Sequence, residues 1–297
     1  MKKILKWIGI VLGGLIALLV VFAAVMIARG SAKLNATYEV QPAAVAIPDD
    51  AAAVARGEYL FTIVCAGCHG VDLSGGVVMD DPGIGFVPAS NLTAGQGGIG
   101  GTYTDADFVR AIRHGVAPDG RPLIIMPAQA FWYFSDEDLG ALIAYIKSAP
   151  PVDNDPGQRN IKPVGRILLA AGALDLAANR IEHDAPRPPA PPRGATAEYG
   201  EYLVNIGDCR LCHGPALSGA RPPIPDAPLA PNLTPGGELA EWSAEDFITT
   251  IRTGVSPHGH EIDPAFMPWK DYANLTDDDL NAIFLYLQSI PAVESSR

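Results

Sequence analysis

The sequence is poor in cysteine, methionine, histidine and basic residues. Its 297 residues include only four cysteines, five methionines and six histidines, and 21 basic side chains stand against 33 acidic ones. The resulting net charge of −12 disfavours binding to nucleic acid or to anionic lipid headgroups. Because all four cysteines fall into two short motifs, none is left for a structural disulfide or for a third cysteine cluster.

Both cysteine pairs belong to the motif Cys-x-x-Cys-His. The motif residues are Cys65, Cys68 and His69 in the first copy, and Cys209, Cys212 and His213 in the second. This spacing is that of a c-type haem attachment site, in which each thiol adds to a haem vinyl group and the histidine binds the iron. A zinc knuckle and a redox-active dithiol are alternative interpretations of the same spacing.

Each motif is followed by a Met-Pro pair after a similar interval. Met126 lies 57 residues beyond His69, and Met267 lies 54 residues beyond His213. Thioethers at these positions would complete His/Met coordination, which fills both axial sites of a haem iron and raises its reduction potential relative to bis-His coordination. Methionines that merely fill the core are the alternative. The matched positions favour iron ligation, and therefore electron transfer over substrate binding.

The N-terminus has the features of a membrane anchor. Three lysines within the first six residues precede an uncharged run from residue 7 to 28, which is long enough to cross a bilayer as a helix. We therefore expect residues 1–29 to form a transmembrane anchor, with its N-terminus in the cytoplasm and the rest of the chain on the periplasmic side. A cleaved signal peptide is the alternative, with Gly30-Ser31-Ala32 as a weak cleavage site. Residues 30–49 are expected to be a tether on which the following domains swing.

The second half of the chain repeats the first. Gly-Glu-Tyr-Leu at 57–60 returns at 200–203, Asn-Leu-Thr at 91–93 returns at 232–234, and residues 135–150 correspond to 276–291 without a gap. The repeat predicts two domains, 50–150 and 194–293, each with one haem. Between them, residues 151–193 form a proline-rich linker that contains a short helix within 164–179.

Helix signals agree between the two copies. Helix starts are predicted at Thr104, Ser135, Ser243 and Thr276, each followed three residues later by an aspartate. The segments after Ser135 and Thr276 carry apolar residues with a period of three to four and end at a proline. Because no convincing alternating strand appears, both domains are expected to be all-α.

With the haem motif, the distal methionine and the helix order in view, each unit resembles a class I cytochrome c domain. The whole chain is similar to a membrane-anchored bacterial dihaem cytochrome c, and to cytochrome subunits of periplasmic alcohol, aldehyde and sugar dehydrogenases, which often carry three haems. The resemblance implies that Gly57 and Gly200 let the first helix of each domain cross the last one, against Tyr145 and Tyr286. It also implies that a proline carbonyl orients each haem-binding histidine: Pro82 in the first copy, and Pro225 or Pro223 in the second.

Two arginines and four further histidines complete the candidate residues. Arg113 and Arg252 recur at one position in both copies and could pair with a haem propionate; a solvated helix face is the alternative. The remaining histidines are expected on the surface: His114, His183, His258 and His260.

Electron transfer between a periplasmic donor and a membrane-associated acceptor, such as a terminal oxidase or a bc-type complex, is the function these features favour. A permanent cytochrome subunit of a periplasmic dehydrogenase is one alternative, and a dihaem peroxidase or a thiosulfate-oxidising enzyme is another. The acidic side chains give residues 50–150 a charge of −6 and residues 194–297 a charge of −10. Such charge would steer a basic redox partner, although it could also serve solubility alone.

Overall fold

One long helix, α1 (Lys2–Leu34), begins the chain. The computed structural model describes residues 2–186, 189–224 and 226–295. Among these residues, α1 is the one helix that is long and apolar enough to cross a membrane, with a mean hydropathy of 3.0 in its most apolar window. It extends five residues beyond the end of the predicted anchor at residue 29.

The first domain is organised around its first and last helices, which cross closely. Its helices are α2 (Ala51–Val64), α3 (Ala66–His69), α4 (Asp105–His114), α5 (Ala128–Phe131) and α6 (Asp136–Ser148). A Cβ atom at Gly57 of α2 would overlap the carbonyl oxygen of Ala141 and lie 2.7 Å from the Cβ of Tyr145. The absence of a side chain at Gly57 therefore permits this crossing, as predicted.

The second domain repeats this arrangement. Its helices are α8 (Ala197–Ile206), α9 (Cys209–His213), α10 (Ala244–Thr253), α11 (Trp269–Tyr272) and α12 (Asp277–Ser289), with a 3₁₀ turn at Glu238–Glu241. At Gly200 of α8, a Cβ atom would overlap the carbonyl oxygen of Ala282 and lie 2.9 Å from the Cβ of Tyr286. The predicted glycine–tyrosine crossing is thus confirmed in both domains.

The four predicted helix starts are also confirmed. Thr104 and Ser243 form capping boxes with the aspartates at the third helical positions of α4 and α10. The hydroxyls of Ser135 and Thr276 accept hydrogen bonds from backbone N–H groups in the first turns of α6 and α12. These bonds satisfy amide groups that a helix N-terminus otherwise leaves without partners.

A small antiparallel sheet in the first domain departs from the all-helical expectation. Strand β1 (Gly76–Asp81) pairs with β2 (Gly85–Ala89), and β2 also pairs with β3 (Asn160–Ile161) from the linker. The register shifts between Val77 and Met79. Such a bulge interrupts the period-two alternation by which strands are recognised in a sequence. The fold is predominantly helical, with this sheet as an addition.

The segments before and after the first domain are fixed to it. Beyond α1, the backbone N–H of Tyr38 donates to the carbonyl of Gly120 at 2.8 Å, and Val40 is buried. Residues 30–49 are therefore not a swinging tether, contrary to the expectation. The linker contains the expected helix, α7 (Pro163–Ala171), followed by a 3₁₀ turn at Ala177–Asn179.

The two domains meet through equivalent residues. The hydroxyl of Tyr202 in α8 donates to Oδ2 of Asp138 at 2.7 Å, and the hydroxyl of Tyr59 in α2 makes the matching bond to Asp279. The Tyr59 hydroxyl also accepts a hydrogen bond from the backbone N–H of Thr276 at 3.0 Å. Each domain thus contributes a tyrosine and an aspartate from equivalent positions of the repeat, as the two halves of a two-fold interface do.

Candidate haem sites

Each Cys-x-x-Cys-His motif lies directly after the first helix of its domain. In the first domain, Cys65 ends α2 and begins the short helix α3, which closes on His69. In the second domain, α9 carries the whole motif and is preceded by Asp208 in a left-handed conformation, with φ of 53°. All four cysteines are free of disulfide bonds. The two cysteines and the histidine of each motif therefore fall within one short helical segment.

The two motif histidines are oriented in the same way. Nδ1 of His69 lies 2.9 Å from the carbonyl oxygen of Ser90, and Nδ1 of His213 lies 2.9 Å from the carbonyl oxygen of Pro231. Since a carbonyl only accepts, Nδ1 carries the proton, and Nε2 is left as the nitrogen that can bind a metal. Burial lowers the pKa of both imidazoles, which favours the neutral form that ligates iron.

The carbonyl groups that hold these histidines are not the predicted ones. The prediction that the carbonyl of Pro82 or Pro223 accepts the hydrogen bond from the histidine is wrong. Pro225 lies outside the described residues. Ser90 and Pro231 instead come directly before the repeated Asn-Leu-Thr segments, whose asparagines are buried. Nδ2 of Asn91 donates to the carbonyl of Val152 at 2.7 Å, and Nδ2 of Asn232 donates to that of Val293 at 2.8 Å. The repeated asparagines therefore position the loop that presents the carbonyl, a signal that was available in the sequence.

The two candidate axial methionines lie in matching turns. The backbone N–H of Ala128 donates to the carbonyl of Met126 at 2.9 Å, and that of Trp269 donates to the carbonyl of Met267 at 2.7 Å. The prolines between them have nearly equal backbone angles, with φ of −81° and −76° and ψ of 57° and 52°. Both methionines are half-buried at the edge of the apolar core. The repeated turn places the backbone of each methionine at an equivalent position of its domain.

The arrangement of donor groups decides between the three interpretations of the motif. Burial raises the pKa of Cys65 and of Cys209 to about 12, the opposite of the lowered pKa that a redox-active dithiol needs. Within the described residues, no three His, Cys, Asp or Glu side chains are grouped so as to hold a metal ion. The described side chains are therefore not arranged as a zinc knuckle requires.

A haem fits these residues. Apolar side chains beside the motifs and methionines are unusually accessible: Val71 is 82% exposed and Ile125 46% exposed. A flat apolar group attached at the cysteines would cover such surface. In the second domain, a cavity of about 580 Å³ opens directly after His213, lined by residues 214–216, 218–221 and 229.

Each of the two arginines connects two helices of its own domain. Arg113 connects the end of α4 to the start of α6, and Arg252 connects the end of α10 to the start of α12. Arg113 is buried; its Nη2 donates to the carbonyl of Phe134 at 2.9 Å, and its Nη1 lies 3.0 Å from Asp136. Arg252 pairs with Asp277 at 2.7 Å. These ion pairs give both arginines a structural role, and the propionate contact stays a prediction.

One surface assignment is wrong. His114, at the end of α4, is buried, and its Nδ1 lies 3.0 Å from Nδ1 of His183 in the linker. The ring of Tyr38 packs against the edge of His183. This contact between linker and domain has no counterpart in the second copy of the repeat, and so the repeat could not reveal it.

Each motif also has a neighbour from the other domain. A Cβ atom at Gly67 would lie 2.9 Å from Oδ2 of Asp271, and Oδ2 of Asp208 accepts a hydrogen bond from Nε2 of Gln129 at 3.1 Å. Burial raises the pKa of Asp208 to about 7 and also raises the pKa of Asp271. The two motifs thus lie close to one shared interface between the domains.

Comparison with known proteins agrees with this geometry. Two segments, residues 52–146 and 195–287, match the family model described as cytochrome c oxidase, cbb3-type, subunit III, and together they make up more than half of the chain. The chain belongs to this cytochrome c family. The cytochrome c domains imply covalently bound haem c, which matches the two attachment motifs and their oriented histidines.

Curated relatives of this cytochrome are named as cytochrome c subunits of dehydrogenases or as a dihaem cytochrome. It is 30% identical to the cytochrome c subunit of the quinone alcohol dehydrogenase of Gluconacetobacter polyoxogenes, over 84% of this chain and 58% of the relative. It is 32% identical to the cytochrome c subunit of gluconate 2-dehydrogenase of Pantoea cypripedii, over 85% of this chain and 63% of the relative. A dihaem c-type cytochrome of Cereibacter sphaeroides is 28% identical, over 80% of this chain and 86% of the relative. The chain therefore spans about three fifths of the dehydrogenase subunits.

Proposed function

We propose that this chain is a dihaem cytochrome c that transfers electrons between a periplasmic donor and a membrane-associated acceptor in a respiratory chain. The first haem is attached to Cys65 and Cys68, with His69 and Met126 as axial ligands. The second is attached to Cys209 and Cys212, with His213 and Met267 as axial ligands. The observation that carries the proposal is the duplicated pair of carbonyl-held histidine and Met-Pro turn.

The side chains of this cytochrome define what each site does. When bound, haem supplies a one-electron iron couple. The carbonyls of Ser90 and Pro231 hold the imidazole rings in one tautomer and one orientation, so that little rearrangement is needed when the charge of the site changes. The thioethers of Met126 and Met267 would complete the coordination of the iron and leave no place for a substrate, which favours transfer over catalysis.

The contact between the domains supports passage of electrons from one site to the other. Asp271 of the second domain lies beside Gly67 of the first motif, and Gln129 of the first domain bonds Asp208 beside the second motif. Paired Tyr–Asp bonds keep these neighbours in a fixed arrangement. A fixed contact between the two domains beside both motifs suits electron transfer from one site to the other.

The names of the relatives support one class of electron donor. Two of them are named as cytochrome c subunits of a quinone alcohol dehydrogenase and of gluconate 2-dehydrogenase. We propose that the electron donor is a periplasmic dehydrogenase of this kind. A permanent subunit of such a dehydrogenase is the second candidate, favoured by the same two relatives. The apolar helix α1 supports a single-pass inner-membrane location with both domains on the periplasmic side.

Purification of the native protein from membranes in mild detergent tests the proposal. We expect two covalent haems per chain by the pyridine haemochrome assay, together with retention of α1 in the intact mass. Co-purification of a dehydrogenase at a fixed stoichiometry would identify a permanent subunit, whereas a lone cytochrome that is reduced by added dehydrogenase would identify a mobile carrier. A chain with one haem, or with haem released by acidified acetone, would contradict the proposal.

A further inference from the structure

We propose that α7 is a membrane-surface helix whose outer apolar face lies in the lipid headgroup layer, so that the first domain is seated on the bilayer. The proposal rests on α1 being the membrane anchor. It adds a second lipid contact and a defined orientation, neither of which the anchor alone provides.

One face of α1 is covered by protein well before the helix leaves its apolar run. Most of α1 is exposed, but Ala23, Met26 and Ile27 are half-buried, and Gly30 and Leu34 are buried. These positions recur at intervals of three and four residues and so lie on one side of the helix. The uncharged run continues to residue 28. The covered face therefore begins within the segment assigned to the bilayer.

The helix α7 packs against this end of α1. At Gly30 the two backbones touch so closely that a Cβ atom would overlap the carbonyl oxygen of Arg166. Nη1 of Arg166 donates to the hydroxyl of Ser31 at 2.9 Å, and Nζ of Lys33 donates to the carbonyl of Leu169 at 2.8 Å. With a helical rise of about 1.5 Å per residue, Gly30 lies only about 3 Å beyond residue 28. The contact thus fixes α7 at the level of the bilayer surface.

The same contact connects α1 to the first domain. Leu34 and Leu169 belong to one buried apolar cluster with Val87 of β2 and Ile161 of β3. Gly165 of α7 lies against the carbonyl of Ile84, where a side chain would not fit. Anchor, linker helix and sheet therefore form one packed unit, and the domain cannot move away from the membrane without breaking it.

The outward side of α7 is apolar and only partly covered by protein. Val164 is 48% exposed, Ala171 is exposed, and Ile167 and Leu168 between them are half-buried. Their spacing of three, four and seven residues defines one stripe along the helix. Buried Gly165 and Leu169 lie on the other side. A helix with one apolar stripe beside a membrane anchor has the character of an interfacial helix.

The charges around α7 identify lipid as the occupant of this face. Residues 29–38 and 159–174, which flank the contact, carry five basic side chains: Arg29, Lys33, Arg159, Lys162 and Arg166. The acidic groups nearest to them are Asp81, which interacts with Lys162, and Glu39 and Asp175 just beyond the ends of these segments, so that basic groups remain in excess. The chain as a whole has a net charge of −12. This local excess of basic groups complements anionic lipid headgroups. The acidic remainder of the protein surface disfavours such headgroups.

Lipid quenching of a fluorescent label tests the proposal. Because all native cysteines carry haem in the holoprotein, an introduced cysteine is the single reactive thiol. Val164→Cys and Ala171→Cys are labelled with bimane in the full-length holoprotein and reconstituted into vesicles of phosphatidylcholine and phosphatidylglycerol. Spin-labelled lipids then quench a label in proportion to its contact with the bilayer, and samples without spin label correct for quenching by haem.

We expect headgroup-region spin label to lower the fluorescence at both α7 positions about twofold. Leu285→Cys, an equally apolar site that is 39% exposed in the second domain, is the matched control and should not change. Leu15→Cys in α1, near the middle of the apolar run, is measured with acyl-chain spin label and reports on the anchor itself. Quenching at Leu15→Cys without quenching at Val164→Cys and Ala171→Cys would overturn the proposal and leave the anchor intact. No quenching at Leu15→Cys would overturn both. An unchanged haem spectrum verifies that each variant is folded.

Discussion

The hydroxyl of Tyr202 in the second domain donates to Oδ2 of Asp138 in the first, at 2.7 Å. Tyr59 of the first domain makes the same bond to Asp279 of the second, and the tyrosines and aspartates are equivalent positions of the repeat. Asp138 also pairs with Arg56 at 2.8 Å and is almost completely buried. The duplicated sequence thus supplies both halves of its own interface, and these bonds fix the two domains relative to one another.

We expect Tyr202→Phe to weaken the domain interface. The substitution keeps the aromatic packing and removes a hydrogen bond to a buried carboxylate, which typically contributes roughly 1.5–3 kcal/mol. Urea unfolding of the holoprotein in detergent micelles measures the loss. Tyr103→Phe, within the first domain beside Phe108, is the control. The double variant Tyr202→Phe/Asp138→Asn tests whether the two side chains interact. If its loss of unfolding free energy equals the sum of the losses in the two single variants, the bond contributes nothing and other contacts hold the interface.

The interface should also weaken in acid. Burial by itself raises the pKa of Asp138, but the hydrogen bonds and charge of Arg56 outweigh it and hold the pKa below its ordinary value. A depressed carboxyl pKa contributes stability that is present above the unfolded pKa of about 3.9 and is lost as the pH falls through the folded value. Urea unfolding of the wild type and of Asp138→Asn between pH 7 and pH 3 measures this contribution. The difference between their free energies of unfolding should shrink as the pH falls. A constant difference would contradict the assignment.

The repeat predicts the helices and caps well because each depends on a local pattern that occurs twice. Gly57 and Gly200 are examples, since only a residue without a side chain fits at both helix crossings. The repeat does not predict contacts that only one of its two copies makes. The bulged hairpin that begins at Gly76 is reduced in the second half to a single antiparallel bridge between Ala220 and Ala230. The His114–His183 pair involves the linker, which is not duplicated. The sequence also repeats Tyr59 as Tyr202, but it cannot reveal that each tyrosine bonds to the other domain, because pairing between domains depends on their mutual orientation.

Met126→Ala and Met267→Ala should each remove about half of the weak sulfur-to-iron absorption band of the oxidised protein. Each methionine follows the same turn in its own domain, and so each variant is expected to affect one haem. Absorption spectroscopy at the red end of the visible range measures the band, and the covalent haem content should stay at two per chain. Met79→Ala, in strand β1, is the matched control. An unchanged band in Met267→Ala would refute ligation by that residue.

Deprotonation of Asp208 should lower the reduction potential of one haem as the pH rises through about 7. Burial raises the pKa of this carboxyl to about 7, against a charge effect of Arg180 and the hydrogen bond from Gln129. Its other ionisable neighbours are Tyr272 and the motif residues Cys209 and Cys212. An anion beside Cys209 stabilises the oxidised, more positive site. Because the pKa is raised, Asp208 also contributes stability that is fully present below about 3.9 and is lost as the pH rises through 7.

Potentiometric titration of the haem bands between pH 5 and pH 9 measures this effect. We expect one of the two potentials to fall across neutral pH in the wild type and to stay level in Asp208→Asn. The variant should also unfold at a higher urea concentration at pH 8. Glu245→Gln, an exposed carboxylate on α10, serves as the control. Equal pH dependence in the wild type and Asp208→Asn would exclude this residue as the titrating group.

The acidic first turn of α12 offers a test of partner docking. Of its three aspartates, Asp277 pairs with Arg252 and Asp279 is buried against Tyr59, so that Asp278 is the cleanest site for substitution. If acidity steers a basic partner, electron transfer should slow steeply as salt rises, because the screening length falls to about 10 Å near 0.1 M. We expect Asp278→Lys to lower the association rate more than it changes the dissociation rate. Glu245→Lys reverses a charge at the same helical position of α10 and is therefore the matched control for helix destabilisation. Stopped-flow rates that do not depend on salt would indicate that the acidity serves solubility alone.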